Sequence, residues 1–211
     1  MLLSSAYLPP VWYFAKLFAC DGREVQVEWW DNYVKQTYRN RCHIMGADGM
    51  QTLTVPVDKG NEAKCLMKDV RISEHGNWRH QHWNALETAY AGTPFFLYYK
   101  DEFRPFYERR FEFLCDFNQQ LVELCCRLID IHPRIVATEQ FCSEEDIIDD
   151  FRDVIHPKHD YRTDATFFPA PYWQVFGELF GFQPNLSIVD LLFNMGPESF
   201  FVLQRCVRPC E

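Results

Sequence analysis

LLSSAYLPPVWYFAKLFACDGREVQVEWW, residues 2–30, carries the reading of the fold class. Leu2 to Tyr7 is a short apolar stretch stopped by Pro9 and Pro10. Proline is favoured at the first helical position, so a helix through Trp12, Phe14, Leu17 and Phe18 is expected to follow, ended by Asp21 and Gly22. Glu24 to Trp30 then alternates, with Val25 and Val27 on one face, which is the period of a strand. A strand, a loop, a helix and a second strand within about thirty residues read as a parallel α/β unit, because parallel strands need a crossover of this kind.

Working outward, Asp48-Gly49 is a hairpin signal. Gln51 to Val57 sets Leu53, Val55 and Val57 against Thr52 and Thr54, a strand stopped or confined to an edge by Pro56. Val70 and Ile72 mark a further short strand. Asn77 is placed to cap a helix carrying Trp78, Trp83, Leu86 and Tyr90, ended by Gly92 and Pro94. Phe103, Phe106, Phe113, Phe117, Leu121, Leu124 and Leu128 recur at helical spacing and predict one long helix from Glu102 to Ile131, stopped by Pro133. Arg134 to Thr138 is a strand, and Tyr172–Gly181 and Ser187–Asn194 are two short helices. The expected class is α/β: a mixed, partly parallel sheet flanked by helices, with a mostly helical C-terminal part. It forms one domain over 1–211, with an α/β core at 1–138 and the helical part at 139–211.

Composition narrows the function classes. The chain has 211 residues, 47% hydrophobic and 24% charged, which excludes a disordered polymer. Aromatics at 17% exceed what a core of this size usually needs, so some rings are expected to line a cleft or a partner surface. A net charge of −9 argues against nucleic acid and anionic membrane as general partners. No apolar run approaches the roughly 18–20 residues of a membrane span, and MLLSSAYLPP lacks a basic n-region, so a cytoplasmic protein is expected. Nine cysteines without a C-x-x-C pair read as free thiols in a reducing compartment; a terminal Cys206–Cys210 disulfide would hold little.

The clearest departure from the acidic background is Lys35, Tyr38, Arg39, Asn40, Arg41 and His43, with no acidic residue between Asp31 and Asp48. Two guanidinium forks with an amide and a phenol suit a phosphate, pyrophosphate or carboxylate. The structural alternative is a solvated loop whose arginines pair with surplus carboxylates. Tyr7-Leu8-Pro9-Pro10 follows the first strand, where α/β sheets shape ligand crevices, but no glycine-rich phosphate loop accompanies it; a rigid proline turn with Tyr7 in the core is the other reading. Glu144 to Asp160 mixes carboxylates with His156 and His159, yet matches no metal spacing, and Pro157 breaks any aligning helix; a solvated acidic segment is the simpler reading. Arg152, His156 and Lys158 add a smaller basic group. His82, one turn from Trp78 and Leu86, is the candidate general base, against a satisfied structural histidine. Cys42 is the best thiolate candidate because Arg41 and His43 flank it, against a buried small hydrophobe. Ser187 and Asp190 form an S-x-x-D helix start, so Asp190 is either a cap or a ligand residue.

These residues resemble the WbqC-like family of bacterial proteins. The matching pieces are Tyr7-Leu-Pro-Pro with Tyr13-Phe14, the run Tyr33 to Cys42, Leu53 to Val57, Trp78 with His82 and Tyr90, Arg152 with His156-Pro-Lys158, Tyr172 to Phe176, Gly181-Phe, and Asn185 to Asn194 followed by Gly196-Pro-Glu. Many relatives carry Gln-Pro before Tyr-Leu-Pro where this chain has Ser5-Ala6, a departure that bears on substrate. The resemblance implies a bacterial setting in surface-polysaccharide and O-antigen gene clusters and a transferase acting on a nucleotide-linked sugar or an acyl or aminoacyl donor. On that expectation Arg39 and Arg41 clamp an anionic small-molecule substrate, Lys35 stabilises the leaving group, Tyr38 and Asn40 orient it, His82 is the base, and Tyr7, Arg152, Lys158 and Asp190 complete the site. No metal ligands are assigned, and the cofactor and oligomeric state stay open. The alternative is a non-catalytic protein that binds an anion or a pathway partner.

Overall fold

The computed structural model describes residues 1–58, 65–143 and 149–207; the Glu144 to Ile148 portion of the acidic run and Cys210 lie outside them. β1 (Leu2–Ser4), α1 (Val11–Ala19) and β2 (Glu24–Glu28) form the expected crossover, with Leu2 opposite Gln26 and Ser4 opposite Glu28 in parallel register. Later in the chain, β7 (Arg134–Ala137) pairs parallel with the free side of β2, so the sheet order is β1-β2-β7. Pro10 stands at the N-cap of α1 in extended conformation, and its carbonyl accepts from the amides of Tyr13 and Phe14. Val11 to Leu17 are all buried, because α1 packs against the C-terminal helices. Its one charged residue there, Lys16, pairs with Asp164 and lies against the Phe151 ring.

Two antiparallel ladders make the architecture mixed. β3 (Arg41–Gly46) and β4 (Gly49–Thr54) form the hairpin that Asp48-Gly49 signals, and Gly49 takes a φ of +111° that favours glycine. The basic run therefore does not remain a loop: Arg41 to His43 are the start of a strand. Pro56 separates β4 from β5 (Val57–Asp58), which pairs with β6 (Arg71–Ile72).

The long helix expected over 102–131 is two helices. After α2 (Trp78–Tyr90) come α3 (Phe96–Glu108) and α4 (Leu114–Ile129). Between them the amide of Ile72 donates to the Glu112 carbonyl and the amide of Leu114 to the Val70 carbonyl, so this backbone is used as an extra ladder beside β6. The apolar spacing runs on through the break because Phe103 and Phe117 are buried in the same core. Helix periodicity reports which face is buried and is blind to a change of direction at a polar stretch such as Arg109-Arg110.

The C-terminal part is helical, with α5 (Gly177–Phe180), α6 (Ile188–Met195) and α7 (Ser199–Cys206), the last not anticipated. α5 is one turn instead of the expected ten-residue helix because its upstream residues are committed elsewhere. Tyr172 and Gln174 hydrogen-bond Asp190, and the Val175 amide donates to Asn194. Most of the large rings belong to the core: Phe193 alone meets Tyr90, Phe96 and Phe103 with ring centroids 5.1–5.4 Å away. Cys20, Cys42, Cys115, Cys125, Cys126 and Cys206 are buried free thiols.

Candidate functional site

In open α/β sheets, ligands gather at the carboxyl ends of the parallel strands. Here those ends are Ser4, Glu28 and Ala137. Two distant segments are laced onto them. The amide of Leu2 donates to the Asp149 carbonyl and that of Phe151 to Leu2, both at 2.9 Å, which carries Arg152 to the end of β1, where Ser4 Oγ donates to its carbonyl at 2.9 Å. The Tyr7 amide donates to the Tyr38 carbonyl at 2.9 Å, and Asn118 donates to the Arg39 carbonyl at 2.8 Å, which carries the basic run to the same place. Ser4, Ser5, Thr37, Tyr38, Arg39 and Arg152 thus line one narrow crevice with only about 10 Å³ of open space.

Charge in this region is buried and shared. Glu28 is fully buried at the end of β2; Oε1 accepts from the Trp30 amide (2.8 Å) and the Thr138 hydroxyl (2.7 Å), and Oε2 from the Cys142 amide (3.0 Å) and Arg152 (3.2 Å). Arg152 turns its Nε and Nη2 onto Asp150 at 2.6–3.1 Å. Burial raises Asp150, but the hydrogen bonds from Arg152 outweigh it and hold the carboxyl below its ordinary range. Arg39 pairs with Asp31, whose carboxyl burial pushes up against the pull of Arg39. Removing such charges from water is costly, so each needs its partner.

The donor count still leaves something over. Among the described residues, Arg39 Nε and Arg41 Nε are buried without a hydrogen-bond partner, as is Asp31 Oδ1. Arg41 is half-buried and makes no ion pair among them. Burial pushes the Tyr33 phenol up to about 12, against the opposing pull of the Arg41 and Arg39 charges.

The remaining sequence-derived candidates fall in three places. Lys35 and Lys158 are exposed, and the Lys158 amide donates to His156 Nδ1. Asn40 is buried and donates to the Val55 carbonyl at 2.8 Å. His82 and Tyr7 meet, off the crevice: Tyr7 Oη lies 2.9 Å from His82 Nδ1 and 2.9 Å from Tyr107 Oη, amid Trp78 and Phe117. Burial lowers His82 to about 4, offset in part by a backbone hydrogen bond to Thr54. The neutral tautomer with Nδ1 accepting from Tyr7 and Nε2 donating to Thr54 satisfies both partners. Asp190, 1% exposed, accepts from Tyr90 (3.0 Å), Tyr172 (2.7 Å) and Gln174 (2.9 Å); Ser187 caps α6 through the Val189 amide, but Asp190 does not complete a capping box.

Cys42 corrects the thiolate reading. Strand residues alternate faces, so Arg41 and His43 point away from the Cys42 thiol, and burial drives that thiol up rather than down. Glu28, Asp31, Ser4 and Thr37 were missed. The one available signal was Glu28, a carboxylate at the carboxyl end of a predicted parallel strand. Tyr107 was hidden in the apolar register of a helix.

A family model described as WbqC-like protein family matches residues 4–157. The uncharacterized protein Rv1507c of Mycobacterium tuberculosis is 26% identical over 229 residues, covering 97% of each chain. No solved structure matches the sequence.

Proposed function

The chain belongs to the WbqC-like protein family, and we propose that it is a transferase for an activated anionic donor, a nucleotide-linked sugar or an acyl or aminoacyl donor, in surface-polysaccharide biosynthesis. The reading rests on one observation: Arg39, which lines the crevice at the carboxyl edge of the parallel sheet, and Arg41, two residues further on at the start of β3, each keep a buried Nε–H donor without a partner among the described residues. An unmet buried donor costs about 1–3 kcal/mol, more when charged, and a phosphate or carboxylate oxygen supplies the missing acceptor. Glu28, Asp31 and Asp150 hold the neighbouring cations in place without consuming those donors, so the charge is set before the ligand arrives. Ser5, where many relatives carry glutamine, lines the crevice and is the position at which substrate choice in this branch would diverge.

A second reading, a non-catalytic anion-binding protein of the same pathway, is favoured by the position of His82. Its ring is engaged by Tyr7 and Thr54 within the aromatic core, away from the crevice. Both readings are tested by thermal shift with nucleotide sugars and acyl donors, followed by an assay for released nucleotide or thiol. Wild type is expected to gain several degrees from one ligand class, and Arg41→Gln, which breaks no ion pair among the described residues, to lose that gain with no drop in its unliganded Tm. A stabilising ligand with no turnover selects the binding protein, and the absence of any stabilising anion defeats both.

A further inference from the structure

A groove of about 400 Å³ opens between α2 and α3, away from the sheet edge. We infer that it is a second ligand site, for a phosphate ester carrying a planar ring. The inference stands on different residues from the sheet-edge reading and does not rest on it.

Three arginines face this groove against two glutamates, in a chain of net charge −9. They are not equally occupied. Arg79 clamps Glu74 with both terminal nitrogens, at 2.9 and 2.6 Å, and lies over the Trp78 ring. Arg104 donates to Glu108 through Nε at 2.7 Å, and Arg110 comes nearest to Glu74 through Nε at 3.4 Å. Each of these two therefore has its terminal NH₂ fork uncommitted among the described residues, the geometry that grips phosphate oxygens in pairs.

The adjoining helix end adds to the field. Asn77 occupies the N-cap of α2 without a side-chain hydrogen bond, and the first turn has no acidic residue. It carries Arg79 instead, a cation at the end of a helix where the dipole disfavours it. Arg79 is balanced there by Glu74, and an anion in the groove would meet the forks of Arg104 and Arg110 that remain. One wall is aromatic: the Trp83 and Tyr107 rings line the groove with centroids 5.8 Å apart, enough to stack a planar ring beside the phosphate. The volume lies within the range of small-molecule pockets, roughly 300–1,000 Å³.

The test uses the full chain and reads tryptophan fluorescence with UDP, uridine and inorganic pyrophosphate as probes. UDP is expected to quench at least tenfold more tightly than uridine or pyrophosphate alone. The double variant Arg104→Gln/Arg110→Gln should bind at least tenfold more weakly with an unchanged Tm, since only exposed ion pairs are lost. Trp83→Leu should remove the quench while UDP still binds by calorimetry. Pyrophosphate binding as tightly as UDP would overturn the ring half of the inference. UDP affinity unaltered in the double variant would overturn the site itself. If that affinity is instead lost in Arg41→Gln, the nucleotide sits at the sheet edge and the sheet-edge reading survives alone.

Discussion

Arg152 shows how a buried charge is tied into place. Its guanidinium bridges Asp150 and the fully buried Glu28, and it also donates to the Cys142 carbonyl at 2.9 Å. Replacing both partners of such a pair with neutral groups is often tolerated, whereas removing one strands the other. Arg152→Met is therefore expected to cost about 3–5 kcal/mol in urea denaturation, because Glu28 loses its cation inside the protein. Glu28→Gln/Arg152→Met should recover at least half of that loss. Equal losses in the single and double variants would mean that the pair is not coupled. Arg41 is the contrasting case, half-buried with no ion pair among the described residues, and its replacement by Gln removes an unmet donor, so the urea midpoint of the unliganded protein is expected to stay level or rise.

Among the elements, α6 is the hub. Its N-terminus is fastened when the Ser187 amide donates to the His43 carbonyl and the Ser187 hydroxyl to the Leu8 carbonyl, which joins β3 and the β1–α1 loop to one point. Its middle is held by Asp190 between two phenols and an amide. Its end depends on Gly196, which adopts φ +55° and lies against the Phe95 ring, so an added Cβ would overlap that ring. Gly196→Ala meets both a disfavoured backbone conformation and a clash, and is expected to lower stability by roughly 2–3 kcal/mol, read as a drop in the urea midpoint. A substitution of Gly92, which has open space around it, is the control and should change little.

For the whole molecule, His82 contributes a pH dependence of its own beside those of His43 and His156, whose imidazoles burial also lowers. The Tyr107–Tyr7–His82 chain of hydrogen bonds crosses α3, the β1–α1 loop and α2, with β4 reached through Thr54. His82 titrates near its ordinary value of 6.5 in the unfolded chain and near 4 in the folded one. Between those values the unfolded chain takes up a proton that the folded chain refuses, so stability falls as pH falls through this window. The loss by pH 4.5 is expected to be roughly 2–3 kcal/mol. His82→Gln keeps an acceptor for Tyr7 and a donor for Thr54, and its urea midpoint should depend less on pH between 7 and 4.5. An identical pH dependence in the variant would place the loss on other groups.

The parallel unit, the hairpin and the apolar faces were legible in the order of residues, because strand and helix periods and the turn chemistry of Pro10 and Asp48-Gly49 are local properties. The break between α3 and α4 was not, since it is made by pairing with β6, some forty residues away in the chain. The basic run was readable as a departure from an acidic chain; its carboxylate partners, its half-paired arginines and its separation from His82 were not. Burial and charge pairing are properties of groups brought together from distant positions, and no local pattern records which cation will meet which anion. Chain order sufficed for the periods and turns of the elements, while the packing of residues 28–41, 138–143 and 149–152 about the carboxyl ends of the strands decided which charges are paired and which donors stay without a partner among the described residues.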